Sequence, residues 1–141
     1  QDFLIASAYA GIAFGNTGVG AVHALSYPLG GIYHVPHGEA NQQMFTGVFQ
    51  MYRKVQPQGK IQELELRLAK LLEVTPQEVW TALDELLEAL WAKKPLREYG
   101  MLEKEIEEFT ESVIQNQQRL LKNNYTPLSK EQIKEIYTLL Y

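Results

Sequence analysis

The sequence predicts an all-α fold, a bundle of helices, on three observations. Apolar residues recur at helical spacing in several stretches. Two segments carry the signature of a helix-opening capping box. No stretch alternates apolar and polar residues as a half-buried strand does.

The elements follow in chain order. Asp2 to Phe14 suits a buried helix, stopped at Gly15-Asn16-Thr17-Gly18. A second helix is expected from Val19 to about Leu29, with Gly30-Gly31 as its stop. Val35-Pro36-His37-Gly38 turns into a third, along which Ala40, Met44, Val48 and Met51 recur near helical spacing. Pro36 suits that start, where a missing N–H costs nothing. Gln56-Pro57-Gln58-Gly59 then divides a small-residue-rich, nearly uncharged half from a charged one, and is too short for a flexible linker.

Beyond it, Ile61, Leu64, Leu68, Leu71 and Leu72 form an apolar stripe. Thr75-Pro76-Gln77-Glu78 reads as a capping box opening a helix through Val79, Leu83, Leu86, Leu87 and Leu90. That helix is expected to reach Lys93-Lys94 and end at Pro95. Glu103 to Ile114 and Gln115 to Leu121 give further helix, with Glu103 to Glu108 as a solvated acidic face, and Asn123-Asn124 stops it. Ser129-Lys130-Glu131-Gln132 is a second capping box, opening a last helix along Ile133, Ile136, Leu139 and Leu140.

Composition narrows the function classes. The chain has 141 residues, 45% apolar and 21% charged, enough for one compact domain and unlike a disordered segment. Thirteen basic against 17 acidic residues give a net charge of -4 with no basic stripe, so nucleic acid is not an expected partner. The absence of cysteine excludes disulfides, thiolate nucleophiles and cysteine metal sites, and fits a reducing, cytoplasmic setting. Residues 3–32 are apolar, but Asn16, His23, Pro28 and Gly30-Gly31 leave no unbroken run of about 18 residues, so a core segment is expected rather than a membrane span. A chain that opens on Gln1-Asp2-Phe3 and enters its most apolar stretch at once is expected to be a fragment of a longer protein.

The chemistry-bearing residues cluster early. The only three histidines, His23, His34 and His37, lie within 15 residues. Neutral imidazole ligates zinc, iron and copper, and this spacing matches neither a zinc finger nor an i, i+4 helical pair. The same residues also suit a core histidine and two turn residues. Gly15-Asn16-Thr17-Gly18-Val19-Gly20 lacks the preceding strand and glycine spacing of a phosphate loop, and is expected to be a tight helix–helix turn. Tyr27 and Tyr33 are candidate proton donors, with packing as the alternative. Arg97 is a candidate anion site, with an ion pair to Glu98 as the alternative.

Ala10-Gly11-Ile12-Ala13-Phe14, Val22-His23-Ala24, Leu29-Gly30-Gly31 and Pro36-His37-Gly38 together resemble the signature of the iron-containing alcohol dehydrogenases. The resemblance runs through residues 8–41. It implies that His23 and His37, fourteen residues apart, bind Fe2+ or Zn2+, and that Phe14 lies beside the nicotinamide and substrate. It also implies that the remaining ligands, an aspartate and a histidine, lie on an earlier helix. The fold implied is the later part of the C-terminal helical domain of a dehydroquinate-synthase-like dehydrogenase, with residues 1–141 a partial metal-binding domain. An N-terminal domain absent from this chain would bind most of the NAD.

Phe14 to Pro28, His34 to Asn41, Lys94 to Met101 and Asn116 to Leu121 resemble more narrowly the 4-hydroxybutyrate dehydrogenases of anaerobic bacteria. That implies a homodimeric enzyme interconverting a small alcohol and its aldehyde, 4-hydroxybutyrate and succinate semialdehyde, inactive as this chain alone and with no membrane attachment. Many relatives carry a histidine four residues after the first ligand; here Tyr27 stands there, so Tyr27 or His34 would manage the proton. Related chemistry on 1,3-propanediol or lactaldehyde stays open. So do a helical interaction module with structural histidines and a small metal-storage or sensor protein.

Overall fold

The computed structural model describes residues 1–141, and its regular elements are all helical. In chain order they are α1 (Asp2–Thr17), α2 (Ala21–Tyr33), α3 (His37–Val55), α4 (Lys60–Leu72) and α5 (Val79–Leu90). A 3-10 turn (Leu96–Tyr99) leads to α6 (Glu105–Asn116), α7 (Gln118–Leu121) and α8 (Lys130–Leu140). α2, α3, α6 and α8 pack around one core, α4 and α5 pair with each other and against α3, and α7 lies on α2. Leu25 and Leu29 of α2, Met44 and Val48 of α3, and Ile133 and Tyr137 of α8 are fully buried there. Tyr137 also donates its hydroxyl to the Leu25 carbonyl at 2.7 Å, tying α8 to α2 through a buried hydrogen bond.

The expected stripe of α3 holds, with Ala40, Met44, Val48 and Met51 all buried. The Ser129 box forms as read: Ser129 Oγ accepts from the Gln132 N–H at 3.3 Å, and the Gln132 side chain accepts from the Ser129 N–H at 2.8 Å. The Thr75 box forms by half. Glu78 accepts from the Thr75 N–H at 2.9 Å, but the Thr75 hydroxyl donates to the same carboxylate instead of accepting from the Glu78 amide, and α5 starts only at Val79.

Several expectations need correction. α1 is not a core helix: Phe3 is 93% and Leu4 75% exposed, and none of its residues is buried. It is apolar all round, without a stripe for the bundle to cover, and a bend of 105° sets it off from α2. No single helix is long and apolar enough to cross a membrane. α2 does not stop at Gly30-Gly31 but runs through to Tyr33, where His34 ends it in the left-handed conformation. At Gly30 a Cβ would make only an ordinary contact, 3.4 Å from the Val35 carbonyl oxygen, so the helix passes through this glycine without needing it.

In α4 and α5 the leucine stripes are only partly covered, with Leu71, Leu86 and Leu90 exposed and α5 ending at Leu90. Their joint is instead a buried carboxylate. Glu65 accepts from the Trp80 indole N–H at 2.6 Å and lies 3.3 Å from Arg53 Nε, and pairing of this kind is what makes a buried charge tolerable. The acidic face of α6 is half engaged: Glu107 pairs with Lys130 and Lys134 of α8, both at 2.7 Å. Arg97 bonds the Tyr141 backbone carbonyl rather than Glu98.

The glycine-rich turn is the tight helix–helix connection expected. Gly18 adopts φ 76°, outside the range of other residues, and a Cβ on it would meet Asn123 Nδ2 at 2.7 Å. Gly20 is pressed as closely against Asn124, whose Oδ1 accepts from the first N–H of α2 at 2.7 Å and from the Tyr52 hydroxyl at 2.8 Å. Gly20→Ala is therefore expected to destabilise by about 1–3 kcal/mol through overpacking. Gly31→Ala, where a Cβ meets nothing within 4 Å, should stabilise by about 0.5–1 kcal/mol. Urea midpoints of the two variants check the contrast.

Candidate metal centre

The α2–α3 junction brings two of the three histidines together. His23 is the third residue of α2 and His37 opens α3, so the short connection between the helices brings their rings together, tilted by 54° with centroids 5.2 Å apart. Asn41, four residues beyond His37 and so on the same face of α3, places its Nδ2 3.2 Å from His23 Nε2 and 3.0 Å from His37 Nε2. Its Oδ1 lies 2.7 Å from the hydroxyl of buried Ser26, three residues beyond His23 on α2. Burial lowers the His23 pKa below its ordinary value of 6.5, and a charge on His37 would lower it further. At neutral pH His23 is held as the neutral imidazole, the form that ligates metals.

The other predicted site residues stand differently. Tyr27, 39% exposed, lies over the His37 ring with centroids 6.4 Å apart and has no hydrogen-bond partner. His34 is exposed at the end of α2, with φ 55°, and touches neither other ring. Phe14 is 55% exposed near the end of α1. Tyr33 packs on Phe109 and its hydroxyl is bound to Glu105, which occupies it structurally.

A clasp holds the junction from the other side. Lys94 to Met101 wraps against it: the Tyr99 hydroxyl donates to Glu39 of α3 at 2.8 Å, and the Tyr33 ring packs on Gly100. Glu39 is thereby engaged two residues from His37. Two histidines fit part of a metal site, since their Nε2 atoms converge and at least one ring is held neutral. No group of three or more ligand-type side chains exists in these residues, whereas a catalytic zinc site uses at least three protein ligands. Asn41 and Ser26 were not singled out from the sequence; the i+4 and i+3 spacings from the histidines are the signal that would have found them.

The family model described as Fe-containing alcohol dehydrogenase family, C-terminal, matches residues 1–141. The 4-hydroxybutyrate dehydrogenase of Clostridium kluyveri is 57% identical over 141 residues, covering 100% of this chain and 38% of that protein. Long-chain-alcohol dehydrogenase 1 of Geobacillus thermodenitrificans is 32% identical over 148 residues, covering 96% and 35%. The crystal structure of an archaeal halo-thermophilic alcohol dehydrogenase from a Red Sea brine pool superposes with a TM-score of 0.74 at 28% identity, over 88% of this chain and 33% of that one. The chain thus spans little more than a third of the relatives it matches.

The clasp yields a pH prediction. Burial, then the bond to Glu105, push the Tyr33 phenol from 10.0 up to about 12. The unfolded chain releases this proton near 10.0 and the folded one near 12, so stability is present below that window and lost as pH rises through it. Tyr33→Phe is expected to make the fall in urea midpoint across this window shallower, with Tyr52, also raised to about 12 by burial, keeping part of the slope.

Proposed function

From the premise that the chain belongs to the Fe-containing alcohol dehydrogenase family, matching its C-terminal region, we propose that its full-length protein is a metal- and NAD-dependent alcohol dehydrogenase interconverting 4-hydroxybutyrate and succinate semialdehyde. The observation that carries the reading is that His23 and His37 both bring Nε2 within 3.2 Å of a single amide nitrogen. The 57% identity to a 4-hydroxybutyrate dehydrogenase over the whole chain supports the substrate.

In this reading His23 and His37 hold two positions around Fe2+ or Zn2+, and further ligands come from protein outside residues 1–141. Such a cation, when bound, supplies Lewis acidity that stabilises negative charge on the substrate oxygen. Tyr27, partly exposed, stands beside the His37 ring with no hydrogen bond on its hydroxyl, which suits it to hold or pass the alcohol proton. His34 is the alternative group for that role, exposed at the end of α2. Phe14 offers an apolar face for the nicotinamide and substrate. The nucleotide is bound mainly by a preceding domain, against which the exposed apolar surface of α1 packs, and the full-length enzyme works as a cytoplasmic homodimer.

A substrate panel on the full-length protein tests this, with NADH formation as the readout. Turnover of 4-hydroxybutyrate is expected to exceed that of 1,3-propanediol or lactaldehyde; the reverse order would reassign the substrate within the family. His23→Ala and His37→Ala are each expected to lose bound metal and to cut kcat/KM by about a thousandfold or more, the scale of several kcal/mol of charge stabilisation. Tyr27→Phe should change the pH dependence of turnover, and an unchanged profile would hand the proton role to His34. Residues 1–141 alone should show no turnover.

A further inference from the structure

We propose that Ser26 and Asn41 act as a positioning pair that fixes the tautomer of both histidines, so that their Nε2 lone pairs face a divalent cation before it arrives. The inference rests on the metal reading above.

The Ser26 hydroxyl has one proton and two acceptors in reach, Asn41 Oδ1 at 2.7 Å and the His23 carbonyl at 3.0 Å. In the structure Asn41 turns Oδ1 toward that hydroxyl, which donates to it. Ser26 is 1% exposed, so no solvent competes for the bond. With Oδ1 committed to Ser26, the amide turns Nδ2 toward the rings, and its two protons match two ring nitrogens, at 3.2 and 3.0 Å. An N–H can donate only to a bare nitrogen, so each ring carries its own proton on Nδ1. That is the tautomer in which Nε2 can ligate a metal. A flipped amide would present Oδ1 instead and require N–H at both Nε2 positions, which blocks ligation. Free imidazole side chains in water favour the proton on Nε2, so the pair selects against the intrinsic preference.

The amide nitrogen stands between the two rings. A cation held by both lone pairs would take the place of the amide nitrogen, which stands 3.2 and 3.0 Å from the two ring nitrogens. Asn41 is then a placeholder: it keeps two polar nitrogens satisfied and aimed until a cation replaces it. Neither residue touches substrate, and both act through the histidines.

The test uses full-length protein stripped of metal, with nitrogen NMR of isotope-labelled histidine and a Co2+ titration followed by visible absorption. His23→Gln and His37→Gln assign the resonances. In the parent protein both rings are expected to carry the Nδ1–H signature. Ser26→Ala, which removes one oxygen, should shift at least the His23 ring toward Nε2–H and weaken Co2+ binding about 10- to 100-fold, the usual scale for removing an outer-shell orienter. Asn41→Leu should do the same, and circular dichroism matching the parent's shows that its helices remain. If neither histidine substitution abolishes the Co2+ band, the metal reading itself is overturned. If both abolish it while Ser26→Ala and Asn41→Leu keep parent tautomers and affinity, only the positioning role is overturned. Tighter binding in Asn41→Leu would make the amide a competitor and overturn it equally.

Discussion

Burial of α2 is the constraint on which the rest of the structure depends. The helix packs against α3, α6 and α7, with Ala21, Ala24, Leu25, Ser26 and Leu29 all buried. A helix so enclosed must satisfy its polar groups without solvent. It does so at three levels: Asn124 takes the first N–H, Tyr137 reaches the Leu25 carbonyl, and Ser26 bonds Asn41. Each bond comes from a different element, so fixing α2 also fixes α8, α3 and the segment after α7. The glycines before α2 belong to the same constraint, because only residues without Cβ leave room for Asn123 and Asn124.

The candidate metal centre follows from that packing. His23 and His37 are fourteen residues apart on two helices, and neither helix alone could present both. The connection through Val35 and Pro36 sets α3 against α2, and the pair of helices then presents two rings at one end of their shared face. The site's neighbourhood is stiffened rather than decorated: Tyr99 holds Glu39, Tyr33 holds Glu105, and Gly100 seats the Tyr33 ring. This gives the Lys94 to Met101 segment a physical part, as the brace behind α3. Ion pairs of α6 with α8 lie farther off, and being solvent-exposed they contribute little individually.

Much of this was legible in the primary structure, and the failures are instructive. Most helices are legible from one face repeating at helical period, and the Ser129 box places the start of α8, because capping is a local interaction between side chain and nearby amide. Gly30-Gly31 misleads because a glycine signals permitted freedom, not its use: both keep helical geometry and α2 runs on to Tyr33. Leu71, Leu86 and Leu90 misled because periodicity shows that a face exists without saying what covers it. Glu65 was invisible, since a carboxylate in a charged helix reads as solvated until Trp80 and Arg53 are seen beside it.

The sequence by itself determined the helical class, the division near Gln56 to Gly59, and the pair of histidines whose spacing and neighbours resemble one family. Those are properties of local pattern, and local physics or direct comparison can read them. Only the tertiary structure decided that His23 and His37 meet while His34 does not, that Asn41 stands between them on a bond from Ser26, and that α1 lies uncovered. These depend on distances between residues far apart in the chain, which the mutual packing of α2 and α3 sets and no single segment encodes.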